Sequence, residues 1–301
     1  MTPDSEQTSE LDSGGQGRFG WEEWIWDETV FRGAASYYRQ GRYPYAPGLP
    51  EALADHLHLD GRGRLLDVGC GPGSVTLLFA PLFEQVIGVD SDAEMLSEAR
   101  QAAAEAHTGN AAWKQLRAEH LPDDLGSFRV ITFAQSFHWM DRARVAAVTR
   151  GMLDPDGAVV HVDLWHRHPH DAGLIGLFPP VPEDAIDALR VQWLGPDRRA
   201  GQGLRNTSPS REDEIFQAAG FAPEEIVVVP DGRVAERSVD DVVASVLSTS
   251  STAPHLFGDE LADFEHDLRT TLRAASPAGL FNVRLADSRL RIHRPTTADL
   301  Q

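Results

Sequence analysis

The 301-residue sequence holds one lysine, Lys114, and one cysteine, Cys70. A single lysine confines Schiff-base chemistry to one position. A single cysteine excludes an internal disulfide and a thiolate zinc cluster. No apolar run approaches the length of a membrane span, and no basic, then apolar, leader opens the chain, which predicts a cytoplasmic protein. Positive charge is also scarce: 46 Asp and Glu face 27 Lys and Arg, a formal charge of −19. Such an acidic surface repels phosphate backbones and anionic lipid, so neither nucleic acid nor a membrane is an expected partner. What remains is 42% hydrophobic and 24% charged, the composition of a globular protein able to bury a full core.

Residues 1–18 are mostly Ser, Gly, Asp, Glu and Gln and read as a disordered tail. Trp21, Trp24, Ile25, Trp26 and Phe31 then appear among acids. That much aromatic surface calls for burial, either as a docked helix or as a lid over a pocket. The boundaries that follow are a helical lid segment at 19–60, a main domain at 61–295 and a short tail at 296–301.

From residue 64 the pattern is that of an α/β protein. Arg64–Val68, Gln85–Val89, Arg129–Phe133 and Ala158–Val162 are short β-branched runs suited to central parallel strands. Asp92 and Asp141 stand at helix N-cap positions, the first opening a helix to about Ala106. After Ala158–Val162 the rhythm breaks. Residues 165–205 are rich in Pro, Gly, His and Arg, with one helix near Pro182–Leu194, and a connection of that length predicts a functional insertion. The rhythm resumes with a helix over Pro209–Ala219 and a strand at Glu225–Val229. Helical stripes then run through Val239–Leu247, capped by Ser238, and through Leu261, Phe264, Leu268 and Leu272. Arg289–Ile292 reads as the last strand.

Gly69-Cys70-Gly71-Pro72-Gly73 follows the first strand and opens a helix. Glycines there permit positive φ and close approach to a ligand, and the helix N-terminus presents free amides. Two acids sharpen the reading. Asp67 sits inside the apolar strand, where a carboxylate is costly to bury alone, and Asp90 ends the second strand, as an acid meant for a ribose diol should. The spacing Gly-x-Gly-x-Gly departs from the dinucleotide fingerprint, since Ser74 occupies the last glycine position. It favours a ligand with an amino-acid moiety over one with a pyrophosphate.

LLDVGCGPGSV, VIGVDSD with Met95, RAEHLP and FAQSFHWMD, in that order, resemble the class I S-adenosylmethionine (SAM)-dependent methyltransferases. Within them they are similar to the small-molecule branch that includes trans-aconitate methyltransferase-like enzymes, over about residues 31–165. The resemblance implies a Rossmann-like α/β fold: a mostly parallel seven-stranded sheet with an antiparallel last strand, helices on both faces and the insertion after the fifth strand. It implies SAM as cofactor, with the methionine part on Gly69, Gly71 and Gly73 and anchored by Asp67. Asp90 would hold the ribose, Ser91 and Met95 would flank the adenine, and Ala118 and Glu119 would meet its edge, although Arg117 stands where the family often has Asp. Ala134 and Gln135 would face the methionine amine and the methyl. Tyr38, Arg42 and Tyr45 match an N-terminal element that closes over the cofactor.

Methyl transfer from a sulfonium is an in-line displacement in which positioning supplies much of the rate. A base is needed only for an acceptor that carries a proton, and His138 is the candidate; the alternative is that His138 and Trp139 shape the cofactor pocket. Trp139, Trp165 and His255 are candidates for the acceptor side. His161, His166, His168 and His170 form a histidine-rich set, but Pro169 intervenes and no carboxylate or thiol set completes a site, so no metal is expected. The expected activity is methyl transfer to a small molecule, such as a specialised metabolite or a carboxylic acid. Two rivals stand: an NAD(P)-dependent oxidoreductase, and a SAM-binding protein of this fold that transfers no methyl.

Overall fold

A computed structural model of the chain describes residues 18–19, 27–165, 176–201, 203–205 and 211–296. Trp21, Trp24, Ile25 and Trp26 of the expected lid segment, His166, His168 and His170, and most of both expected tails lie outside the described residues.

The central sheet has seven strands: β1 (Arg64–Val68), β2 (Gln85–Asp90), β3 (Ala111–Gln115), β4 (Phe128–Ala134), β5 (Leu153–Trp165), β6 (Glu225–Val229) and β7 (Asp287–His293). Their order is β3-β2-β1-β4-β5-β7-β6. The β1–β5 pairs are parallel, and β7 runs antiparallel to both of its neighbours. This is the expected Rossmann-like methyltransferase sheet. The order reverses between β1 and β4, which opens a crevice at their carboxyl ends.

The helices are α1 (Ala35–Gly41), α2 (Leu49–Leu57), α3 (Ser74–Phe79), α4 (Ala93–Glu105), α5 (Arg142–Gly151), α6 (Glu183–Leu194), α7 (Glu212–Ala218), α8 (Val239–Leu247) and α9 (Leu261–Ala275). The period-two alternation of each strand decides which face they cover. Leu66, Ile87, Ile131 and Val159 point to one side, where Val145 and Ala146 of α5 and Phe216 of α7 pack on them. Leu65, Val86, Val130 and Val160 point to the other and meet Leu49, Leu53 and Leu57 of α2 and Val75 and Phe79 of α3. Thus α2, although it falls within the expected lid segment, is part of the sheet's covering layer.

The cap residues behave as the sequence predicts. The Asp92 carboxylate accepts from the backbone N–H groups of Glu94 (2.8 Å) and Met95 (3.3 Å), Asp141 accepts from Arg144 (3.2 Å), and Ser238 forms a capping box with Asp241.

Several elements differ from expectation. β3 has no β-branched residue, and its Trp113 instead lies across two glycines: a Cβ on Gly73 or Gly88 would stand 2.5 Å from the indole. A second insertion separates β6 from β7. It contains α8, α9 and an antiparallel pair, Val234–Ser238 with Leu280–Arg284. Together with α6 of the 165–205 insertion it builds a separate apolar cluster, with Ile186 and Leu189 against Val242, Val243 and Leu247, and Phe264, Leu268 and Leu272 behind. Two insertions distant in sequence therefore make one cap. Arg18–Phe19 pairs in parallel with Leu204–Arg205, and the Thr296 amide donates to the Gly220 carbonyl (3.0 Å). Among the described residues no helix is long and apolar enough to cross a membrane.

Candidate active site

The turn from β1 to α3 is stitched to the neighbouring strand, because the Gly69 and Cys70 amides both donate to the Val89 carbonyl (2.8 and 3.0 Å). Gly69 has φ +67°, and a Cβ there would stand 2.6 Å from the Cβ of Ser136. Ser136 in turn donates from its hydroxyl to the Val68 carbonyl (2.6 Å), locking the loop after β4 onto the end of β1. Gly71, at φ +54°, is different: nothing lies within 4 Å of where its Cβ would be. Its side is open cleft, so conformation and ligand clearance, not packing, call for glycine.

The two acids flanking this turn have different surroundings. Asp67 is fully buried beneath it, where the hydroxyls of Thr76 (2.5 Å) and Thr132 (2.8 Å) donate to its carboxylate. Burial raises its pKa and these hydroxyls oppose the rise. Asp67 therefore fixes the turn from below. Asp90 stands at the cleft, accepting from the Gly71 N–H (2.8 Å) and the Asp92 N–H (2.9 Å). Burial pushes its pKa up to about 6, and the neighbouring carboxylates of Asp92 and Asp67 add to the rise against those two bonds.

The cleft wall brings together Tyr38, Gly69, Gly71, Asp90, Ser91, Met95, Ala118, Glu119 and Trp139 from the sequence-derived set. Phe31 joins them, its ring set edge-on to Tyr38 (6.5 Å) and to Trp139 (5.7 Å). Asp27, Glu28, Val30, Asp92, Leu116, Arg117, Ser136 and Met140 also line it and were not predicted as site residues. For Ser136 the signal was weak, one hydroxyl after β4 whose partner lies 68 residues earlier.

Other predicted residues lie elsewhere. Gly73 is packed under Trp113. Arg42 stands behind the wall, its guanidinium 4.6 Å from the Tyr38 ring centre and its Nη2 donating to the Ser248 carbonyl (2.6 Å). Tyr45 packs against the α2–α3 side of the core, where burial pushes its phenol up. Ala134 ends β4, and Gln135 after it is exposed with φ +57°, a strained backbone of the kind that marks functional loops. His138 is exposed beside Trp139, ring centres 4.6 Å apart. Trp165 ends β5 opposite Asp287. His255 contacts the Arg32 carbonyl through Nδ1 (3.2 Å) and does not line the cleft. His161 is buried among Phe133, Phe137 and Phe216, and burial holds its pKa well below the usual imidazole range.

One polar atom in the wall asks for a ligand. Glu119 is buried; its Oε1 accepts from the Asp141 N–H (2.9 Å), while Oε2 has no hydrogen-bond partner among the described residues and only Arg117 Nε at 3.6 Å. With the open side of Gly71 and the acid at the end of β2, the cleft suits an adenosine-bearing ligand that donates hydrogen bonds.

The methyltransferase domain family matches residues 65–157. The Bacillus subtilis methyltransferase YcgJ, itself uncharacterized, is 34% identical over 210 residues, 66% of this chain and 73% of that protein. The chain belongs to the class I SAM-dependent methyltransferases. An uncharacterized methyltransferase of Mycobacterium tuberculosis is 33% identical over 129 residues, 42% of this methyltransferase and 49% of the relative. A solved structure from Anaeromyxobacter dehalogenans, of a protein proposed to be a type II methyltransferase, shares the fold at 21% identity. Its TM-score is 0.50, over 83% of this chain and 97% of that one. SAM is the cofactor of this methyltransferase, and the oxidoreductase reading is set aside. Bound SAM supplies an electrophilic methyl on a sulfonium.

Proposed function

We propose that this methyltransferase transfers the methyl group of SAM to a small molecule bound against the cap. The observation that carries this reading is a cavity of about 370 Å³, within the size range of small-molecule sites. Its wall draws on three segments: Tyr43 of the lid, Val181 to Arg198 of the first insertion, and Val242 to Thr252 of α8 and the connection after it. Arg42 ties the two walls together: it packs on the ring of Tyr38, which lines the cofactor cleft, and donates to the Ser248 carbonyl at the end of α8, whose Val242, Ser245 and Val246 line the cavity. The lining mixes hydroxyls of Tyr43, Ser245, Thr249, Ser251 and Thr252 with the carboxylates of Glu183, Asp184 and Asp187. Arg190 and Arg198 are held by Asp187, both at 2.9 Å. Such a lining favours a neutral or cationic hydroxylated acceptor over a polycarboxylate.

In this reading Asp90 accepts from the ribose hydroxyls, and Ser91, Met95, Ala118 and Glu119 enclose the adenine. Gly69 and Gly71 receive the methionine part, held in place by Asp67 below. Tyr38, braced by Arg42, closes the lid side. The acceptor's lone pair displaces the thioether in line, and the sulfur keeps the bonding electron pair. His138 takes the acceptor proton where there is one.

Transfer of labelled methyl from SAM is the test, across hydroxylated amines, neutral polyols, carboxylic acids, RNA and protein. Ser245→Leu, which fills the cavity, is expected to raise the acceptor KM at unchanged SAM affinity. Labelling confined to macromolecules, or an unchanged KM, would overturn the proposal.

A further inference from the structure

Helix α1 belongs to the expected lid segment, yet the element it packs on most extensively is α8 of the cap. Gly41, the last residue of α1, allows the approach. A Cβ there would collide with the Ala244 carbonyl and stand 2.6 Å from the Ser245 nitrogen, so the two backbones meet with no side chain between them. Polar contacts fasten both ends of the pair. At the start of α8, Arg237 donates through Nη2 to the carbonyls of Gln40 (2.6 Å), Gly41 (3.2 Å) and Asp241 (3.3 Å). The Gln40 side-chain amide donates to the carboxylate of Asp241 (3.0 Å), the residue that completes the capping box of α8. At the other end Arg42 donates to the Ser248 carbonyl (2.6 Å). Against the main domain α1 is held more lightly, by Ala35 and Tyr38 packed with Met95 and by ion pairs from Arg39 to Glu98 and Glu105 across partly exposed side chains.

The two arginines mark two different ligand sites. Tyr38, under Arg42, lines the cofactor cleft. Tyr43, whose ring centre lies 5.3 Å from the Arg237 guanidinium, lines the proposed acceptor cavity, as do Val242, Ser245 and Val246 of α8. Helix α8 itself contributes no residue to the described wall of the cofactor cleft. A ligand that settles against Tyr38 thus fixes α1, and α1 cannot shift against α8 without parting the Gly41 contact and both arginine clasps. Elements packed this closely move together or not at all.

We infer that α1 and α8 act as one body that couples the cofactor cleft to the acceptor cavity, with Gly41 and Arg237 as positioning residues that line neither pocket. The inference rests on the cofactor and acceptor placements proposed above. Its consequence is that bound cofactor orders the acceptor wall. By linkage, a bound acceptor then tightens the hold on the cofactor by the same factor.

Hydrogen exchange of the full chain, free and saturated with the demethylated cofactor S-adenosylhomocysteine, tests this without an acceptor. The expected result is slower exchange in α1 and also in α8. The slowing in α8 equals the factor by which opening α8 weakens cofactor binding, about fivefold or more for a coupling of ordinary size. Gly41→Ala, which wedges the helices apart, is expected to bring that factor below about twofold, and the milder Arg237→Gln to lower it, with α1 still protected in both. An α8 whose exchange the ligand does not change, or slows as much in both variants as in the wild type, would overturn the coupling and leave the cofactor placement intact. Calorimetric binding of the ligand without protection of α1 would overturn the placement beside Tyr38 and the inference with it. The acceptor placement is decided separately, by the labelled-methyl panel and Ser245→Leu.

Discussion

The buried histidine on β7 gives the most quantitative handle on stability. His293 is fully buried and stacked on Phe216 at 4.4 Å, and its ring nitrogens lie 3.9 Å from the carboxylates of Asp213 and Glu224, beyond hydrogen-bond distance. His161 stands 5.3 Å away and Arg291 is its near neighbour in sequence. Burial, with help from the Arg291 charge, pushes its pKa down to about 4 from 6.5. The folded state thus prefers the neutral ring, and unfolding takes up a proton between about pH 4 and 6.5. Stability from this site is present above pH 6.5 and is lost as the pH falls toward 4. Linkage gives a loss of about 1.4 kcal/mol at pH 5.5 and about 3 kcal/mol below pH 4. His293→Phe keeps the stack on Phe216 and removes the titration. Urea unfolding of both proteins at pH 7.5, 6.5 and 5.5 should show their stability difference shifting toward the variant by about 1.4 kcal/mol over that range. A difference that does not change with pH would refute the assignment of a depressed pKa to His293.

Gly69→Ala should cost about 1–2 kcal/mol for its positive φ and a further 1–3 kcal/mol for driving a Cβ into Ser136, read as a lowered urea midpoint. Gly71→Ala, with nothing to clash against, should cost only the first of these while abolishing SAM binding by filling the cleft; equal midpoints for the two variants would contradict the packing described. Because Asp90 has a pKa of about 6, its protonation should weaken SAM binding as the pH falls from 7 to 5, and calorimetry on Asp90→Asn should show weaker binding without that pH dependence. His138→Ala should lower turnover by about 10²–10⁴-fold with SAM affinity unchanged if His138 is the base, and full turnover would leave it a packing partner of Trp139.

What could be read in the sequence was whatever local chemistry writes into neighbouring letters. The buried strands announce themselves because both faces need apolar residues, and Asp92, Asp141 and Ser238 mark helix starts because a free amide three residues on selects a short polar side chain. The glycine turn is legible for the same reason, since positive φ selects glycine. β3 was not, because AAWKQ earns its place through one contact, Trp113 against the missing Cβ atoms of Gly73 and Gly88. The antiparallel pair Val234–Ser238 and Leu280–Arg284 was not either, because its partners are separated by two helices and its first strand is VAERS.

The same divide runs through the site. Asp67 lies inside the end of β1 and Asp90 closes β2, a difference visible in the sequence, but it does not by itself say where each carboxylate turns. Their partners do. Asp67 is turned inward by Thr76, nine residues on, and by Thr132, 65 residues on, whereas Asp90 is turned outward by amides of the turn and of its own loop. A carboxylate that finds two hydroxyl donors in the core can stay there, and one offered only backbone amides at a cleft keeps lone pairs for a ligand. The division of labour between a supporting acid and a binding acid is thus a product of tertiary contacts. It makes a sharp comparison: Thr132→Val should destabilise the fold by leaving Asp67 short of a donor, by about 1.5–3 kcal/mol. It should leave the pH dependence of SAM binding, which belongs to Asp90, where it was.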